Sequence, residues 1–121
     1  MASLHPGPGP FVMACDSLAG DVVVNDAQEE LGTLGHVMID VPSGTIAYAV
    51  LACGGVFGIG EKLFAIPWRA LTLDAERHCL VLDVSRQRLD AAPGFDKDHW
   101  PSMADPAWAR QVHDYFGVRP Y

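Results

Sequence analysis

Short apolar runs alternate with turn-forming clusters through the first two thirds of this chain. Residues 11–15 predict a first strand, and Ser17-Leu18-Ala19-Gly20 a turn. Val22-Val23-Val24 is a short β-branched strand closed by Asn25-Asp26. Residues 31–40 alternate in part, with Leu34, His36 and Met38 on one face and Val37 and Ile39 on the other. Pro42-Ser43-Gly44 turns the chain into residues 46–51, where Ile46, Tyr48 and Val50 point one way and Ala47, Ala49 and Leu51 the other. Both sets are apolar, so this strand needs cover on both sides, from a barrel wall, another layer or a second subunit. Residues 62–66, 71–73 and 79–82 continue the series, interrupted by Pro67-Trp68 and by a polar turn at 74–78. Six or seven short strands within residues 11–84 predict a small barrel or sandwich.

The pattern changes after residue 84. Residues 85–92 suit one short helical stretch ended by Pro93-Gly94, and residues 95–103 are irregular. A helix over residues 106–116 then follows from its ends: Asp105 is a natural N-cap, Pro106 fits the first helical position, and Gly117 fits the stop. Trp108, Val112, Tyr115 and Phe116 fall on one face and are expected to dock on the barrel, while His113 is expected to be partly exposed.

Between the apolar runs lies a segment with four glycines in seven residues, Gly54 to Gly60. A phosphate-binding loop would need a Lys and then Ser or Thr after its last glycine. Glu61 holds the lysine position, Lys62 is followed by Leu63, and Pro67 cuts short any following helix. A dinucleotide fingerprint would need glycine where Leu63 stands. The segment reads as a connection between strands, with Phe57 and Ile59 at an apolar tip. Together with Tyr48 and Trp68, these two form the candidate interface, and a homodimer is expected.

Composition narrows the functional classes. The chain has 121 residues, half of them apolar, and a net charge of −7, which suits one globular domain and opposes binding to phosphate backbones. All eight Lys and Arg lie in residues 62–121, so the first half is purely acidic. Cys15, Cys53 and Cys79 are odd in number and far apart, and the first residues lack the basic start and apolar core of a signal peptide. A reduced, cytoplasmic protein is therefore expected. Residues 41–60 are uncharged over the length of a membrane span, but Pro42-Ser43-Gly44 and the glycine segment break them into strands and turns, and no membrane insertion is expected.

No catalytic, cofactor or metal residues are assigned. Asp96, Asp98 and His99 make the best metal-like cluster, yet they lie beside Lys97 in a charged loop. His78 and Cys79 point to opposite faces if they lie on a strand, and the three cysteines sit in or beside apolar runs, where a free Cys packs as a small core residue.

The series from Ser17-Leu18-Ala19-Gly20-Asp21-Val22-Val23-Val24-Asn25 through Leu31-Gly32-Thr33-Leu34-Gly35, Ile39-Asp40, Ser43-Gly44, residues 46–51 and residues 54–68 resembles the PRC-barrel family. The resemblance covers about residues 11–92, and the ending through Trp100-Pro101 to Tyr115-Phe116-Gly117 resembles the tail of stand-alone bacterial members. It implies a mainly β fold: a small, strongly bent PRC-type β-barrel with a C-terminal α-helix packed on it. The expected organisation is a disordered lead-in at 1–10, a barrel domain at 11–92 and an extension at 93–121. The resemblance also implies a non-enzymatic protein-binding or adaptor module with no shared catalytic residues. The alternatives are a regulatory adaptor at a membrane complex or in a stress response, and a small-molecule binder or enzyme with a pocket near the glycine segment.

Overall fold

The computed structural model describes residues 14–18, 20–54, 61–74 and 76–119. Six strands, β1 (Val22–Val24), β2 (Glu30–Asp40), β3 (Thr45–Cys53), β4 (Lys62–Pro67), β5 (Leu71–Asp74) and β6 (Cys79–Leu82), form one sheet in the order β4-β3-β2-β1-β6-β5. The sheet curls into a half-barrel. Every pairing is antiparallel except β1 with β6. Two helices follow, α1 (Arg86–Asp90) and α2 (Pro106–Phe116). The predicted fold class, strand count and both helices therefore hold among the described residues.

The first predicted strand, at residues 11–15, falls mostly outside the described residues. Within its end and beyond, Cys15–Ser17 forms a single 3₁₀ turn. The amides of Ser17 and Leu18 bond the carbonyls of Ala14 and Cys15, and the turn delivers Leu18 into the core at 2% exposure.

The assignment of faces along β2 and β3 also changes, because both strands carry bulges. Leu34 pairs with Leu51, but the next pair is His36 with Val50, so Gly35 is an extra residue. Met38 pairs with Tyr48 and Ile39 with Ile46, so Ala47 is extra on β3. A bulge flips the alternation that follows it. Leu34 thus shares the inner cluster with Val37, Ala49, Leu51 and Ile46, whereas Met38, Tyr48 and Ala47 face the other side. Gly32 sits where backbones meet: a Cβ there would run into the Ala52 carbonyl oxygen.

Two apolar layers result. The inner one contains Leu31, Leu34, Leu51, Phe64, Ile66, Leu80, Leu82 and Leu89, all 2% exposed or less. Burying each such side chain contributes about 1.5–3 kcal/mol. The outer one joins Tyr48 and Ala65 of the sheet to Val112 of α2, with Trp108 and Phe116 packed against them. The second apolar face of β3 is therefore covered by the chain's own helix. Asp105 caps α2 by accepting from the Ala107 amide at 3.1 Å, and Gly117 ends it at φ 71°. Ser85 caps α1 through the Arg88 amide at 3.0 Å.

Candidate functional site

Of the four residues expected to form an interface, Tyr48 and Trp68 are among the described residues. Tyr48 is 4% exposed beneath α2, with the Trp108 ring edge-on at 5.1 Å and the His113 ring at 5.5 Å. Trp68 is 9% exposed and belongs to the inner layer. Phe57 and Ile59 lie outside the described residues. Tyr48 and Trp68 thus serve intrachain packing on two different faces. His113, expected to be partly exposed, is 2% exposed. Its Nδ1 donates to the Ala109 carbonyl at 2.7 Å, which satisfies that nitrogen within the helix and lets the ring pack on Tyr48.

Several groups of the types that carry chemistry make local contacts here. His99 Nδ1 lies 2.8 Å from Asp96 Oδ1, and the Asp98 amide donates to that same oxygen at 2.8 Å. The bond to His99, then that to the Asp98 amide, holds the Asp96 carboxyl below its ordinary value of 3.8. This is an exposed turn closed by its own side chains, and no group of three metal-ligating residues occurs among the described residues. Asp26 and Asp83 follow the parallel neighbours β1 and β6, and the hydrogen bond between their carboxyls raises Asp26. Burial pushes the Cys53 thiol up to about 11, away from the thiolate that a nucleophile requires. No helix among the described residues is long and apolar enough to cross a membrane.

The outer surface holds what the sequence reading passed over. Trp100, 38% exposed, packs on Phe95 at 5.0 Å and on the exposed His36 ring at 5.3 Å, and its Nε1 donates to the Lys97 carbonyl at 3.0 Å. Ile39 and Val41 stand out at the end of the β2–β3 hairpin, 56% and 84% exposed. The only signal in the sequence was an apolar residue placed against the Pro42-Ser43-Gly44 turn.

Comparison with protein families matches the PRC-barrel domain to residues 12–89, more than half of the chain. The chain belongs to the PRC-barrel family. In this PRC-barrel protein the match takes in all six strands and most of α1, and α2 lies beyond it. A search of curated proteins finds no match. Among solved structures, the chain is similar to a Pseudomonas aeruginosa protein named for 16S ribosomal RNA processing, RimM. Identity is 15%, the TM-score 0.43, and the alignment covers 62% of this chain and 45% of that one. The chain thus spans less than half the length of that protein.

Proposed function

We propose that this PRC-barrel protein is a non-enzymatic binding module that engages a protein partner with its outer surface. The observation that carries this reading is the filled interior. Phe64 and Ile66 of β4, Leu51 of β3, Leu34 of β2, and Leu80 and Leu82 of β6 meet inside the curled sheet. An interior occupied by the chain's own side chains leaves recognition to the outside, which suits a macromolecule better than a small ligand that must be enclosed. The raised Cys53 thiol and the self-satisfied Asp96–His99 turn support a role without catalysis. The net charge of −7 favours a basic protein surface over nucleic acid.

The test pairs a ligand screen with a binding measurement. The full chain is expected to bind one protein of its host saturably. Nucleotides, common metabolites and divalent metals should leave its Tm unchanged. A small molecule at about a hundred times its Kd would add about 2.7 kcal/mol and raise Tm by on the order of 10 °C, and such a shift would overturn the reading. Self-association through Phe57 and Ile59 belongs to the same proposal. Light scattering should then give a mass well above 13.0 kDa, reduced to that value by Phe57→Asp.

A further inference from the structure

Ile39 and Val41 are two of the three large apolar side chains left exposed among the described residues, and they stand two positions apart at one hairpin end. Neither belongs to either apolar layer. The turn that presents them is firmly built. The Gly44 amide donates to the Asp40 carbonyl at 2.8 Å, and Gly44 takes φ 74°. The Ser43 hydroxyl donates to the Asp40 carboxylate, lies 2.7 Å from Thr45 Oγ1, and receives the Thr45 amide at 3.4 Å. The tip is thus a well-bonded hairpin end whose exposed apolar side chains join neither layer among the described residues. Exposed apolar groups on a rigid scaffold mark contact sites. From Glu30 to Cys53 the hairpin carries Glu30 and Asp40 and not one Lys or Arg.

We propose that Ile39, Val41 and Pro42 insert into an apolar pocket on a protein partner, and that the pocket's rim carries Lys or Arg facing Asp40. A hairpin end with Val41 84% exposed calls for a pocket that encloses it, and the carboxylate beside the apolar tip calls for a basic rim. Two aliphatic side chains on a chain of net charge −7 make a poor anchor for an anionic bilayer. The proposal rests on the protein-binding reading above and names its surface and the chemistry of its partner.

The test places benzoylphenylalanine in the full chain at Val41, and separately at the exposed positions Thr72 on β5 and Arg110 on α2, for photocrosslinking in host cells. Position 41 should crosslink to one protein that positions 72 and 110 do not reach. With that protein purified, Val41→Asp should weaken binding by at least about tenfold, with Val41→Leu close to wild type and Tm unchanged in both. Raising salt from roughly 50 to 500 mM should weaken wild-type binding, because the rim contact is ionic. Salt-independent binding, or full binding by Val41→Asp, would overturn the proposal. Crosslinks from 72 or 110 without 41 would overturn it while leaving the protein-binding reading intact. Crosslinks from 41 to lipid, or only to a second copy of the chain, would overturn the partner proposed. An absence of protein crosslinks at all three positions would overturn the proposal, and the protein-binding reading falls with it only if the full chain also shows no saturable binding to a host protein.

Discussion

Arg88 and Tyr115 hold the two helices together by a reciprocal contact. Arg88 Nη2 donates to the Tyr115 carbonyl at 2.5 Å, the Tyr115 hydroxyl donates to the Arg88 carbonyl, and the guanidinium lies 4.4 Å from the ring centroid. The contact ties α2, beyond the family match, to α1 at the end of it. Arg88→Ala should cost about 1–2 kcal/mol in urea denaturation, from one charged hydrogen bond and a partly exposed cation–π contact. Arg88→Lys should recover only part, since a lysine lacks the planar fork. An unchanged midpoint for Arg88→Ala would show that the contact adds nothing.

The glycines at 32 and 35 look alike in sequence and should behave differently. A Cβ at Gly32 meets the Ala52 carbonyl, which is backbone in a paired strand and cannot step aside. At Gly35 the nearest atom, the Val50 carbonyl oxygen, is 3.5 Å away. Gly32→Ala should therefore lose on the order of 2 kcal/mol, as overpacked sites do, while Gly35→Ala should stay within about 1 kcal/mol of wild type. Equal losses, measured by thermal or chemical unfolding, would contradict the register between β2 and β3.

Trp108 is the half-buried wall of the outer layer, edge-on to Tyr48. Trp108→Ala should destabilise by about 2–3 kcal/mol, at or below the range for a fully buried aromatic. It should also weaken the near-ultraviolet dichroism of the Tyr48 environment. An unaltered spectrum and midpoint would mean that α2 does not dock there.

The cysteines should separate by reactivity. Cys15 is exposed, and Cys53 and Cys79 are buried. At pH 8 a disulfide reagent should modify one thiol in the native chain and three in urea. The folded chain holds the Cys53 proton more tightly than the unfolded chain, because burial disfavours the thiolate. Its contribution to stability is therefore whole below the ordinary value of 9.0 and is lost as pH rises toward about 11. Rapid modification of all three thiols in the native state would contradict this placement.

Much of the fold was legible because its signals are local. The Asp105, Pro106 and Gly117 caps set both ends of α2, and β-branched or apolar runs set β1 and β6. What escaped depends on contacts distant in sequence. The bulges at Gly35 and Ala47 arise from pairing between strands, and they reversed the faces read from simple alternation. His113 seemed exposed beside Val112, yet Tyr48 receives its ring. Tyr48 and Trp68, two of the four candidate interface residues, are large apolar residues that the chain buries itself. Val41 entered the sequence pattern only as the start of an uncharged stretch, and its exposure in three dimensions singles it out.

The central claim is that one chain covers both faces of β3 and leaves recognition to its outer surface. Isotope-filtered NOE spectroscopy on a mixture of labelled and unlabelled protein tests it directly. The predicted result is strong NOEs from the Tyr48 ring to Trp108 and Val112 within one chain, with no NOE from Tyr48 to α2 between labelled and unlabelled chains. NOEs from Tyr48 to α2 that appear only between chains, or no NOEs from Tyr48 to α2 at all, would contradict it.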